Sequence, residues 1–146
     1  MKPVFENYNE IVYELKPLQV NWGGCGFYAN ELGNLLKAKN IKFKYVVLFG
    51  YIEAKHNTNK LVKSNLVEDF SRLDWYHVMI KINNKFIDAE GIHDAPVFNG
   101  RKMKTRTLTD RFFSTFVGMD RLWNWHFDRG NIPVMKKILK ENLVIN

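Results

Sequence analysis

The sequence predicts an α+β domain in which a helix that opens on the chain's only cysteine packs against a small antiparallel sheet. Three observations carry this. Apolar residues recur at helical spacing near positions 3–16, 25–39 and 133–140. Residues 41–52 and 75–90 alternate in strand fashion, the second stretch folding back on itself at Asn83-Asn84. The chain has 146 residues, 46% of them hydrophobic, with no linker, repeat or low-complexity run; residues 1–146 therefore read as one domain with a sizeable core.

In chain order, Val4, Tyr8, Ile11, Val12 and Leu15 form one stripe of a first helix that Pro17 stops. Leu18 to Val20 connect it to the stretch Asn21-Trp22-Gly23-Gly24-Cys25-Gly26-Phe27-Tyr28. From Cys25 the pattern Tyr28, Ala29, Leu32, Leu35, Leu36 predicts a helix to about Lys39, with Asn40 as its stop. Gly33, inside it, either weakens the helix slightly or allows close packing. Ile41 to Ile52 read as a strand that begins amphipathic and becomes fully buried. Residues 54–60 read as a loop, and 61–73 as a helix or helical loop.

Tyr76 to Ile82 and Lys85 to Glu90 form a predicted hairpin, since asparagine tolerates the positive φ of a two-residue turn. The register that pairs Ile80 with Ile87 puts Val78, Ile80, Ile82, Ile87 and Ala89 on one apolar face. The other face receives His77, Met79, Lys81, Phe86, Asp88 and Glu90. Asp88 is then diagonal to His77, about 7–8 Å away at the backbone, and Glu90 lies opposite as the rival partner. Gly91 to Arg106 read as a loop or a short extra hairpin. Thr109 caps a helix through Phe112, Phe113, Phe116 and Val117, residues 122–127 anchor in the core, and Pro133 opens a last helix with Val134, Ile138 and Leu139 on one side.

Composition narrows the function classes. One cysteine permits no internal disulfide and fits a reducing, cytoplasmic setting. Met1 to Asn7 carry no apolar run of signal-peptide type, and no later stretch would cross a membrane. The net charge of +7 would favour an acidic partner and gives weak support to nucleic-acid binding. The Lys- and Asn-rich composition is of the kind found in AT-rich bacterial or phage genomes.

Cys25 in the first turn of a helix meets free backbone N–H groups and the positive end of the helix dipole, both of which favour thiolate over thiol. His77 at a strand start and Asp88 on the next strand supply a base and a group to hold it. A nucleophile, an adjacent base and an orienting carboxylate are the parts that thiol acyl transfer requires.

The order Cys, His, Asp resembles that of the papain-like superfamily. Gln19 precedes Cys25 by six positions, as the oxyanion-hole glutamine does in papain-type proteases, and Gly23-Gly24-Cys25-Gly26-Phe27-Tyr28-Ala29 is similar to their nucleophile turn. His77-Val78 and Asp88-Ala89-Glu90-Gly91 look more like the transglutaminase-like and bacterial cell-wall branches. The resemblance spans about residues 19–91. It departs at Gly26, where papain proteases have tryptophan, and at Asp88, where they have asparagine. It implies a papain-like core with Cys25, His77 and Asp88 as catalytic residues, and Gln19 with the Cys25 N–H as oxyanion donors. The activity implied is cleavage or transfer at a peptide, isopeptide or glutamine amide bond of a protein or peptide substrate.

Blander readings stand beside these. A lone cysteine is usually a small buried hydrophobe. His77 is as often a satisfied core residue, Asp88 can simply end a strand, and Gln19 can be a solvated loop residue. Trp22, Gly23, Gly24, Trp75 and Tyr76 flank the site as possible substrate-binding residues, with packing as the alternative. His56, His93 and His126 make no metal set, no metal or other cofactor is expected, and His93-Asp94 reads as a loop just past the hairpin, with the cleft in reach. The run Arg101 to Arg106 is a solvated loop, or a grip on an acidic protein or phosphate backbone; with the net charge it supports a non-enzymatic basic binding module as the rival reading.

Overall fold

The structure is a computed structural model that describes residues 3–21, 24–49, 77–98, 100–114, 117 and 127–146. The predicted loop at 54–60, the helix at 61–73 and the anchor residues 122–126 lie outside the described residues, as do Trp22, Gly23, Trp75 and Tyr76.

Helix α1 spans Tyr8–Leu15, α2 spans Cys25–Ala38 and α3 spans Asn131–Asn142. The strands are β1 (Lys44–Phe49), β2 (His77–Ile82), β3 (Lys85–Asp88), β4 (Gly91–His93), β5 (Val97–Phe98), β6 (Arg101–Lys102) and β7 (Lys104–Leu108). Five of them form an antiparallel sheet in the order β4-β3-β2-β1-β7, and β5 pairs with β6 in a separate hairpin. The α+β class and the antiparallel sheet agree with the sequence reading.

The hairpin register is the predicted one: Ile80 faces Ile87, Ile82 faces Lys85, and Asn83 takes φ 55° at the turn. The apolar face of the hairpin, with Tyr45 and Val47 of β1, packs against Tyr28, Ala29, Leu32 and Leu36 of α2 to form the main core. The reverse face holds a smaller cluster of Val46, Leu48, Met79 and Phe86, against which Phe98 and Met103 pack. Both faces of β1 are thus buried, as its continuous apolar run required.

Helix α2 ends as its sequence dictates. Asn40 adopts φ 58°, its N–H bonds the Lys37 carbonyl, and the Ile41 N–H reaches back to Leu36, so the last carbonyls are satisfied. Gly33 serves packing: a Cβ there would lie 2.2 Å from the Tyr45 hydroxyl. That ring stacks on Phe113 at 3.6 Å, and burial pushes the Tyr45 hydroxyl up to about 12. Thr109 Oγ1 accepts the Phe112 N–H, capping residues 110–114 as predicted.

Four elements differ from the sequence reading. The first helix begins at Tyr8, because Phe5 pairs with Ile145 and the Asn146 N–H bonds Val4, which ties the chain ends together in extended form. Pro17 does not stop the helical path. It sits at the start of a 3₁₀ turn, Lys16–Leu18, where its missing N–H is not needed. Residues 91–108 supply β4 and β7, two sheet strands, besides the short hairpin β5–β6. Helix α3 starts at Asn131; of the predicted stripe Leu139 is buried and Ile138 packs against the core, while Val134 is 46% exposed and Met135 takes its place inside.

Candidate functional site

Asp88 is the centre of the described site. Its carboxylate lies at the end of β3, is 3% exposed, and accepts five hydrogen bonds. The Glu90 and Gly91 N–H groups bond Oδ1 at 2.9 and 3.1 Å, which turns the chain from β3 into β4. The strand therefore stops at Asp88, and Glu90 is exposed in the turn rather than opposite His77. The remaining Oδ1 partner is His93 Nε2 at 3.1 Å, and Oδ2 accepts from His77 Nε2 at 3.0 Å and Asn21 Nδ2 at 3.1 Å.

His77, at the start of β2, is 1% exposed and its ring lies 4.5 Å from that of Phe98. An ionised carboxylate can only accept, so the imidazole proton sits on Nε2, and Nδ1 of the neutral ring is left as the acceptor. Burial pushes the Asp88 carboxyl up, but the bonds from His77 and His93 outweigh it and hold the group well below the usual carboxylate range. The bond to Asp88 raises His93, against its partial burial, with the Glu90 charge adding to the rise.

The backbone beneath the carboxylate is fixed as well. The Tyr8 hydroxyl donates to the Asp88 carbonyl at 2.6 Å and meets the Tyr28 hydroxyl at 2.5 Å. Since Tyr8 spends its proton on the carbonyl, Tyr28 is the donor between the two phenols. Burial raises both hydroxyls, Tyr8 in particular, so both remain neutral donors. A chain of contacts thus runs from α2 through α1 to the end of β3.

Cys25 is the first residue of α2, as predicted, and Gly24 precedes the helix as its N-cap. The cysteine is 5% exposed and belongs to the main apolar cluster. His77 alternates onto the reverse face of the sheet, with Met79. The carboxylate is where the two sides meet: Asn21, from the turn before α2, and His77 bond the same oxygen. Gly24, expected to bind substrate or to serve packing, has neighbours close on its Cβ side. A Cβ there would lie 2.7 Å from the Val20 carbonyl and 2.8 Å from the Phe127 ring, so glycine is needed for packing.

Gln19 is exposed, with φ 49°, and lines an open cleft of about 480 Å³ together with Leu15, Asn21, Ala89 and Glu90. Among the described residues no group of three or more His, Cys, Asp or Glu side chains is arranged to hold a metal ion, and no helix is long and apolar enough to cross a membrane.

Sequence reasoning overlooked Asn21 and assigned His93 to a loop. Asn21 had a signal, a short amide side chain four positions before the cysteine in the glycine-rich turn. His93 became visible only with β4, whose three residues are too few for a periodicity to show. In searches against protein-family models, curated proteins and solved structures, nothing matches the chain.

Proposed function

We propose that the chain is a papain-like thiol hydrolase or acyltransferase acting on a peptide, isopeptide or glutamine amide bond. Cys25 attacks the carbonyl, His77 takes the thiol proton and returns it to the leaving group, and Asp88 orients the imidazole. Gln19 and the Cys25 N–H hold the oxyanion. The observation that carries the reading is the buried His77–Asp88 pair, with the base bonded through Nε2 so that Nδ1 is the acceptor. That polarity is the one a triad needs, because the orienting carboxylate fixes which nitrogen is basic. The cysteine at a helix start, followed in chain order by an antiparallel sheet that bears the histidine, agrees with it.

The near-complete burial of Cys25 favours a second reading, a basic binding module in which the thiol is a core residue and exposed Lys102 and Lys104 face an acidic partner. Treatment with a p-nitrophenyl ester separates the two. The enzyme reading requires a burst of nitrophenol and one acyl group on Cys25 by mass spectrometry, both lost in His77→Ala. Acylation confined to lysines, with Cys25 unmodified, would select the binding module.

A further inference from the structure

We infer that His93 is a second positioning residue: it adds an imidazole to the backbone N–H groups that hold one oxygen of Asp88 while the other faces His77, and its charge sets how strongly the carboxylate supports His77. The geometry carries this. Two imidazoles bond one buried carboxylate through Nε2, His77 on Oδ2 at 3.0 Å and His93 on Oδ1 at 3.1 Å. They differ in access, since the His77 side chain is 1% exposed and the His93 side chain 28%. His93 therefore exchanges protons with solvent while His77 is shielded. When His93 is protonated it neutralises much of the Asp88 charge, and less remains to stabilise an imidazolium at His77. When His93 is neutral it still donates through Nε2 but leaves that charge to His77.

The other charged groups near His93 are few among the described residues. Glu90, in the turn after β3, favours its protonated form. Asp94, the next residue, is paired with Lys85 across the hairpin. From α1 the neutral Tyr8 hydroxyl bonds the Asp88 carbonyl, and Lys16, just after α1, lines the cleft with Glu90. The charge of His93 thus acts mainly on Asp88. A spacer residue would need no second imidazole, because the Glu90 and Gly91 N–H groups already hold Oδ1.

The catalytic meaning of this inference rests on the proposed thiol chemistry, but its first test does not. The carbon-13 resonance of the Asp88 carboxyl is followed against pH in the whole chain and in His93→Ala and His93→Gln. Loss of the imidazole in His93→Ala is expected to move the midpoint up by about one pH unit. His93→Gln, which keeps a donor without a charge, should lie between. Superimposable titrations in all three proteins would overturn the inference. The second readout is the pH profile of Cys25 alkylation: two titration steps on the acid side in the parent chain and one in His93→Gln. A single step unchanged by His93→Gln would also overturn it. Should Cys25 prove unreactive throughout, the thiol proposal fails, and the carboxyl titration alone decides whether His93 governs Asp88.

Discussion

Replacing Asp88 by Asn probes the site most sharply, because the consequences follow from five hydrogen bonds. The two backbone donors on Oδ1, from Glu90 and Gly91, cannot turn away, so the new side-chain oxygen must take that position. The new amide nitrogen then replaces Oδ2 and faces His77 and Asn21, both donors in the parent chain. Each has a way out. Asn21 can rotate its amide and offer Oδ1, a buried acceptor that has no partner in the parent structure. His77 can move its proton to Nδ1 and accept at Nε2. The contacts to residue 88 are all made again, and what is lost there is the ionic reinforcement of the two imidazole bonds, while the turned Asn21 N–H groups and the new His77 Nδ1–H need acceptors elsewhere. A hydrogen bond to a charged group contributes roughly 1.5–3 kcal/mol net and a neutral one roughly 0.5–1.5 kcal/mol. The variant should therefore lose about 1 kcal/mol per imidazole, about 2 kcal/mol in all. Urea denaturation at pH 6 would show the midpoint lower by about 1–2 M, given a slope of about 1–2 kcal/mol per molar. Nitrogen-15 NMR would place the His77 proton on Nδ1, where it cannot receive the thiol proton. A variant as stable as the parent, with the proton still on Nε2, would refute the assignment of Asp88 as the group that fixes the imidazole.

Three further outcomes are expected. Gly33→Ala drives a methyl group into the Tyr45 hydroxyl, and overpacking of about 1–3 kcal/mol outweighs the roughly 1 kcal/mol gained in helix propensity; a raised melting temperature would show that Tyr45 moves freely. Tyr8→Phe leaves the Asp88 carbonyl and the Tyr28 hydroxyl without their partner and should lower stability by about 1–3 kcal/mol, with a loss under 0.5 kcal/mol counting against the buried phenol chain. Stability should also vary with pH in both directions. The Asp88 contribution is present above its ordinary value of 3.8 and is lost as pH falls through the depressed folded value. The His93 contribution is full below its ordinary 6.5 and is lost as pH rises through the raised folded value. Urea midpoints should peak between about pH 4 and 6.5, and His93→Gln should flatten the alkaline side, whereas an unchanged alkaline slope would exclude His93 as its source.

Much of the architecture was legible because it rests on short-range rules. The α2 helix is announced by its apolar spacing and by Asn40, and the β2–β3 hairpin by its alternation around Asn83-Asn84. Asp88 as the partner of His77 followed from the register, which only one face segregation allows. What escaped depends on contacts distant in sequence. Strands β4 and β7 are edge strands defined by their neighbours rather than by their own pattern, and the exposed side chains of Lys104, Thr105 and Thr107 give β7 no apolar rhythm. The pairing of Phe5 with Ile145 joins the two ends of the chain, which no local window contains. The burial of Cys25 was one of two readings the sequence left open, and the choice depends on Phe127, which is distant in sequence and packs against Gly24.

Thiol catalysis requires the Cys25 sulfur and the His77 imidazole to act as one unit. The rate of Cys25 alkylation by iodoacetamide at pH 6, in the parent chain and in His77→Ala, measures that directly. Labelling should be faster than that of a free cysteine peptide in the parent chain and slower by at least about tenfold in the variant. Labelling no faster than the peptide's, and indifferent to His77, would contradict the thiol proposal.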